Sequence, residues 1–536
     1  MSNVLHPETQ PAMPSALQAD ESERSGVAPV SALSRLAVLA ILGLTVFSVV
    51  VLLSERIIVM PFQFSTMYGE GWNAFQASNA FSSASLYPPI AALTANNYPP
   101  LSFYLVGLVG QFTGDEIVAG RAIALISLLI VAANIALIVR RLSGSTTAGL
   151  FAGLLMLGNI AAWYGNYVAA NDPQWLAHAL ATTGVTILVL GERTGAQVIA
   201  ACALMLAGGL VKHILIPLPL AVTIGLLIYD RRAFLVWIAT AVVLSAVALG
   251  LFYLFYGAAF FQSLLGMPRS YKLSVMVRQL YLFVVPLFPL LLAWLALLAI
   301  EFRGRRTRMI SIYAVIALLW GAFAVGGIGV THNAFFDLVI ALSMAAGLFV
   351  IRIGEHPMFA RISRPLVQAV AMLMLVQTVV VATPVPFGAT IDLLRHGKAA
   401  NLEAAFADDV RFVAAQDGPA MCENLALCYW AGKDFSVDYF TTGQKVLLGA
   451  VDGSKLVNLV ETRHFGAIEV DDTRAENLRR LPPGFYQALS EHYVVGKSGP
   501  GSMTIYVPKG SDNPAGEGSG DPASTGVESS DAETGT

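Results

Sequence analysis

The sequence predicts an all-α polytopic membrane protein of about eleven transmembrane helices, with a small C-terminal α/β domain on the outer side of the membrane. Three observations carry this. Of 536 residues, 56% are hydrophobic and 12% charged, against about 45–50% and about 25% in soluble domains. Mean hydropathy is +0.66, and the apolar residues gather into runs near the ~20 residues that cross a bilayer. Beyond residue 383 those runs stop and shorter, mixed segments follow. The net charge of −3 decides little, because in such a chain the placement of charge matters more than its sum.

Residues 1–32 are polar, with acids, prolines and serines, and read as a disordered cytosolic tail. No basic stretch and no A-x-A site precede the first apolar run, so this is not a cleaved signal peptide. The spans are expected at 33–54, 119–139, 147–164, 175–191, 196–211, 214–229, 233–256, 279–300, 309–328, 334–351 and 365–382, within a membrane unit 33–383. The run Pro99–Thr113 starts at Pro-Pro and holds two glycines. It is short for a span and reads as a helix lying in or dipping into the membrane. With that segment not spanning, Arg140-Arg141, Arg193, Arg231-Arg232, the 303–308 arginines and Arg352/Arg361/Arg364 all fall on the cytosolic side, as the positive-inside bias requires. Loop 55–118, loop 165–174, the Lys212-His213 turn, loop 257–278 and the turn at Thr331 then lie outside.

Residues 384–509 read as a separate α/β unit outside the membrane. Leu402, Phe406, Val410 and Val413 have helical spacing; "FGAIEV" (465–470), "HYVVG" (492–496) and "SMTIYV" (502–507) read as strands, with helical stretches near 442–463 and 474–491. Residues 510–536 are an acidic Gly/Ser tail expected to be disordered. Cys202 sits in an apolar run; Cys422 and Cys428 form either a disulfide or two free thiols. There is no internal repeat, P-loop or zinc signature, and nothing points to a nucleic-acid partner.

The polar residues on the outer side are few enough to weigh singly. Glu70 stands between Gly69 and Gly71 in the long first loop, beside Trp72, Phe75 and "NNYPPLSFY" with Tyr98. It reads as a solvated loop acid or as an acid aimed at chemistry, with glycines that let backbone approach a sugar or phosphate closely. In "NYVAANDP", Asn171 and Asp172 precede Pro173, the pattern of a helix start, and a capping Asp keeps one oxygen free. Lys212 ends a span; it either snorkels to water or binds a phosphate at headgroup level. Arg269, Lys272 and Arg278 put positive charge outside, for lipid headgroups or a substrate phosphate. His332 and Asn333 open a span, as structural residues or as the lining of a sugar pocket.

In order and side, these motifs resemble the GT-C type membrane glycosyltransferases. The nearest branch is the bacterial one (family 39) that includes lipid A aminoarabinose transferases and protein O-mannosyltransferase-like enzymes. The resemblance rests on "YGEGWNAFQASNAF" after the first span, on Tyr98-Pro-Pro-Leu running into a short helix and then Gly120-Arg121, on "NYVAANDP", on "LVKHILIP" and on "HNAFFDLVIALSMAAG". It covers about residues 33–385. Many relatives have Asp-Glu in the first loop, with the Asp taken as catalytic; here Gly69 stands in that place and Glu70 serves alone.

The resemblance implies an inverting transfer of a sugar from a polyprenyl-phosphate donor to an acceptor hydroxyl of lipid A, a polysaccharide or another glycolipid, at the outer face of a bacterial inner membrane. Glu70 would be the general base and Asp172 would orient the acceptor. Lys212 with Arg269, Lys272 or Arg278 would meet the phosphate. Tyr98, Asn171, His332 and Asn333 would line the substrate site. No cofactor is firm; a divalent cation between Glu70 and Asp172 ranks lower for want of a third ligand. A transporter or flippase of a lipid-linked sugar is the alternative, but the span centres carry almost no charge and no half repeats. A membrane scaffold would leave the first loop and its acid without a role.

Overall fold

The computed structural model describes residues 24–471, 481–498 and 503–510. Most of both expected tails lies outside these residues. The first helix α1 (Arg24–Val59) extends past the predicted run at both ends. The first loop then forms two helices, α2 (Glu70–Asn79) and α3 (Leu101–Thr113); the second is the short apolar segment, closed by Gly114 at φ +79°. The bundle continues with α4 (Glu116–Ser143), α5 (Thr146–Trp163), α6 (Gln174–Leu190), α7 (Gly195–Val211), α8 (Pro217–Tyr229) and α9 (Arg231–Leu265). It ends with α10 (Leu273–Val284), α11 (Phe288–Glu301), α12 (Arg305–Ala324), α13 (Phe336–Gly354) and α14 (Arg364–Ala382).

Every predicted run is helical, and the chain is a polytopic helical membrane protein. Among the described residues, eight spans are long and apolar enough to cross, with α10 and α11 counted together. The helices α6, α7 and α8 are shorter, at 17, 17 and 13 residues. Seventeen residues rise about 25 Å, less than the ~30 Å hydrocarbon core. The buried α13 is the hub, with Leu338 to Ala346 almost wholly inaccessible. Small residues bring the helices together: a Cβ on Gly184 would stand 2.8 Å from the Ala201 carbonyl, and one on Gly208 2.8 Å from that of Ala177. This is the close backbone approach that drives helix association where burial from water does not.

The C-terminal unit holds α15 (Pro384–His396), α16 (Lys398–Ala414), β1 (Ala420–Cys422), α17 (Leu425–Trp430), α18 (Tyr439–Leu447), α19 (Ser454–Glu461), β2 (Ala467–Asp471), α20 (Pro483–His492), β3 (Tyr493–Ser498) and β4 (Met503–Pro508). The sheet runs β1-β2-β4-β3, with β1 and β2 parallel and the rest antiparallel. The three predicted strands are there; β1 was not predicted. Cys422 and Cys428 form a disulfide, joining β1 to α17.

This unit is not separate from the first loop. Phe75 of α2 stacks on Phe435, and the Lys445 ammonium donates to the carbonyls of Ala92 (2.9 Å) and Thr94 (3.1 Å). The Trp430 indole donates to Asp115 at 2.8 Å. The loop and the domain therefore fix each other over the end of the bundle where α6 begins and α7 ends.

Glu469 on β2 makes the stability of this unit depend on pH. Burial, with Glu423 and Asp409 nearby and only the Asn424 N–H (2.8 Å) in opposition, pushes its carboxyl up to about 8. Unfolded, it titrates near about 4.3. The folded state therefore binds more protons between these values, and stability falls as pH rises through that window. Thermal melting between about pH 5 and 8 should show the unit loosening as pH rises, and Glu469→Gln should flatten that slope.

Candidate functional site

The first residue of α2 is Glu70, and it is completely buried. Its partner is Arg121, one turn into α4 and equally buried. Guanidinium Nε donates to Oε1 and Nη2 to Oε2, both at 2.7 Å, a bidentate pair. The remaining Arg121 hydrogens go to the carbonyls of Met60 (3.2 Å), Phe62 (2.7 Å) and Phe64 (2.6 Å). The chain leaving α1 is thus wrapped around one cation, and all five donors are used.

Glu70 is saturated as well. Oε2 also accepts from the N–H groups of Thr66 (2.8 Å) and Met67 (3.3 Å) and from the Thr66 hydroxyl (3.1 Å); Oε1 accepts from the Asn171 N–H (3.1 Å). A carboxylate offers about four acceptor positions. All of them are taken here by donors of the chain itself, so in this arrangement Glu70 is a fixed carboxylate that anchors its neighbours. The glycines also have another reason. A Cβ on Gly71 would fall 2.1 Å from the Ala426 nitrogen, so this glycine admits α17 rather than a sugar. Gly69 has ordinary φ, and a Cβ there would make only ordinary contact, the nearest atom being Met67 Cε at 3.4 Å.

The ion pair positions the second loop. The Asn171 amide donates to the Glu70 carbonyl (3.1 Å), and Asn73 on α2 donates to the Asn171 carbonyl (2.8 Å). A Cβ on Gly120 would stand 1.8 Å from Asn171 Oδ1, so only glycine lets this loop nest on α4. Asp172 follows directly, before Pro173 and α6. Its Oδ1 accepts from the Gln174 N–H (2.8 Å), but the helix begins one residue later than predicted, with Pro173 rather than Asp172 at the N-cap.

Lys212, at the end of α7, is only 1% exposed and donates to Asp172 Oδ1 (3.0 Å) and Oδ2 (3.2 Å). Its ammonium lies 4.9 Å from the centre of the Tyr98 ring. Trp72 props Tyr98 edge-on at 5.2 Å. Asp172 therefore keeps acceptor capacity on Oδ2, and its carboxylate borders a small cavity of about 10 Å³ with Asn73, Ser102, Gly120 and Asn171. Asn73 Oδ1 and Ser102 Oγ are buried with no hydrogen-bond partner among the described residues.

The structure thus brings Tyr98, Asn171, Asp172 and Lys212 together. Arg269 is exposed on the α9–α10 connection, close enough that it and Lys212 act on His213; burial and these two cations push that imidazole down to about 4. Lys272 and Arg278 are exposed and make no hydrogen bond or ion pair with the cluster among the described residues. Asn333 reaches it through Gln174 (3.4 Å), which in turn meets His178 at 3.0 Å. His332 is packed edge-on to Phe283 at 4.0 Å, in an aromatic nest rather than the cluster. No three His, Cys, Asp or Glu side chains are placed to hold a metal among the described residues.

No protein-family model and no curated protein sequence matches the chain. Solved structures do. ArnT from Cupriavidus metallidurans in the apo state aligns with a TM-score of 0.58 at 13% identity, over 87% of this chain and 97% of that one. The same protein bound to undecaprenyl phosphate aligns at 0.57 and 15%, over 88% and 97%. The fold is that of the GT-C membrane glycosyltransferases. A second GT-C structure, the archaeal oligosaccharyltransferase AglB from Archaeoglobus fulgidus in complex with an inhibitory peptide and a dolichol-phosphate, aligns at 0.51 and 11%, over 88% and 75%. Within the GT-C frame, sequence reasoning missed Asn73 and Gln174, and it noted Arg121 only as part of a motif, with no role. Arg121 was visible as a lone arginine inside an apolar run.

The Glu70–Arg121 pair predicts a thermodynamic signature. Glu70→Gln and Arg121→Met should each destabilise the protein by about 3–5 kcal/mol, since each strands a buried charge. The double variant should recover much of that loss, read as coupling in a thermal or denaturant cycle. Additive losses would refute the pairing.

Proposed function

We propose that the protein is an inverting glycosyltransferase that moves a sugar from a polyprenyl-phosphate donor to an acceptor hydroxyl at the outer face of a bacterial inner membrane. The observation that carries this is the buried Asp172–Lys212 pair, an acid and a cation 3.0 Å apart at the ends of two short helices. ArnT and AglB, which share the fold, have been captured with undecaprenyl phosphate and dolichol-phosphate.

The donor's apolar tail remains in the bilayer and its phosphate meets Lys212, with Arg269 beside it. As the sugar C1–O bond to phosphate breaks, the electron pair leaves on the phosphate, where these cations offset the growing charge. The acceptor oxygen attacks C1 from the opposite face, and its proton passes to Asp172 Oδ2. Phosphate and carboxylate compete for one ammonium. Donor binding draws Lys212 from Asp172 and leaves the carboxylate a better base when it is needed. Tyr98, Asn171 and Asn333 bound the sugar pocket, and Glu70 acts only by positioning Asn171 and Asp172. The acceptor is a glycan or glycolipid. The arginine-rich helix ends face the cytosol and the disulfide-bearing domain the periplasm. A flippase would use no acid–cation pair at one end of the bundle.

Transfer assays with polyprenyl-phosphate sugars in the reconstituted full chain test this. Asp172→Asn should lower kcat by about 10²–10⁴ with donor binding retained. Lys212→Met should weaken donor binding and lower kcat by about 10²–10³, with Lys212→Arg intermediate. Undiminished transfer by Asp172→Asn would refute the base assignment; donor flipping without transfer by the wild type would favour the transporter.

A further inference from the structure

The other end of the bundle holds a second site of different design. Helices α4 and α7 carry Arg121 and Lys212 near one end; Arg141 ends α4 at the other, and Arg193 precedes α7 there. Twenty residues of α4 separate Arg121 from Arg141, about 30 Å by helical rise. At this far end a cleft of about 340 Å³ opens between α4, α6, α8 and α12. Its mouth is ringed by Arg141, Arg193, Arg305 and Arg306, from three different connections. Its wall is apolar, with Ile138, Leu188, Leu218, Leu226, Ile310 and Met344.

All four arginines are exposed, and none has an ion-pair partner among the described residues. Two nearby acids are otherwise occupied: Glu301 is held by Arg352 (3.1 Å) and the Thr307 hydroxyl (2.9 Å), and Asp230 caps α9 through Ala233. Glu192, next to Arg193 in the chain, is exposed and forms no ion pair with the four arginines among the described residues. Two backbone details keep the charges at the mouth. Arg193 takes φ +58°, uncommon for a residue with a side chain, and its Nε donates to the Leu188 carbonyl at 3.2 Å. Arg306 donates to the Leu142 carbonyl, and Arg305 lies over the Tyr229 ring at 4.4 Å. The start of α12 is also uncapped by any side chain, so its free N–H groups add positive potential.

We propose that this cleft binds an anionic phospholipid, with its phosphate among Arg141, Arg193, Arg305 and Arg306 and its acyl chains along the apolar wall. Four unpaired guanidiniums above a hydrocarbon-lined slot match a molecule with one charged end and an apolar body. A small soluble anion would use the charges and leave the slot empty. The lipid joins the ends of α4, α8 and α12 and the α6–α7 turn, and it is independent of the transfer site.

The test uses the purified full chain in detergent micelles carrying phosphatidylglycerol or phosphatidylcholine, with sodium phosphate as the free-anion arm. Native mass spectrometry should show phosphatidylglycerol retained over phosphatidylcholine, with Tm raised by the former alone. The R141Q/R193Q/R305Q/R306Q variant should retain phosphatidylglycerol roughly a thousandfold less well, from the loss of four cations. The corresponding Lys variant keeps the charges and should stay within about tenfold of wild type. Equal retention of both lipids by wild type, undiminished retention by the Gln variant, or an equal Tm rise with inorganic phosphate would overturn the proposal. The wild-type lipid preference decides even if the Gln variant fails to fold.

Discussion

A single buried ion pair organises one end of this helical bundle. Arg121 and Glu70 lie where neither could stay charged alone, since removing an isolated charge from water costs several kcal/mol. Each therefore has to be satisfied in full, and each is. The guanidinium fills its five donors with a carboxylate and three carbonyls, and the carboxylate fills its positions with N–H and O–H groups. These partners come from the exit of α1, the start of α2, helix α4 and the second loop. The pair thereby converts a segment that would otherwise be a long loop into a fixed platform. Asn171 is bonded to Glu70 at both backbone and side chain, so the position of Asp172 follows from the pair.

The second pair works under a different constraint. Lys212 and Asp172 are also withdrawn from water, but Asp172 shares its carboxylate among fewer donors and borders a cavity. In a medium of low dielectric the attraction between the two is strong, and so is their response to a third charge. Saturation makes the first pair a support, and incompleteness makes the second responsive. The short α6 and α7 contribute by ending below the loop platform, which places the acid and the cation under cover.

Much of this was legible from local pattern. Each of the eleven apolar runs is helical, because twenty-odd apolar residues in a bilayer have few alternatives to satisfying their own backbone. The three alternating segments of the C-terminal unit are strands. Asp172, Lys212 and Tyr98 share a side of the bundle in the sequence pattern, and they converge in the fold. What was not legible depends on distant partners. The sequence EGWNAFQASN of α2 has no apolar stripe; it is helical because α17, α3 and α4 pack around it. Gly71 is explained by Ala426, and Glu70 by Arg121, at separations no periodicity reports. The strand β1 has three residues, too few for alternation to show. His332 looked available for a substrate because its aromatic neighbours come from other helices.

The two ends of the bundle use the same cationic side chains in opposite ways, and desolvation explains the difference. Arg121 and Lys212 are buried, so each must have an acid opposite it, and that acid fixes direction and distance. Recognition there depends on geometry, and a shift of an ångström would cost the contact. The four arginines at the far-end cleft are exposed, and carbonyls and a ring rather than an acid meet three of them, so their charge stays uncompensated by the protein. Recognition there depends on summed charge and on the shape of the slot beneath it. Exchange of Arg for Lys should therefore be damaging where the fork of Arg121 grips Glu70 in two places, and mild where a cluster acts through its field. The same residue type acts as an exacting ligand at one end and a forgiving one at the other, and the difference is set by how much water the fold leaves around it.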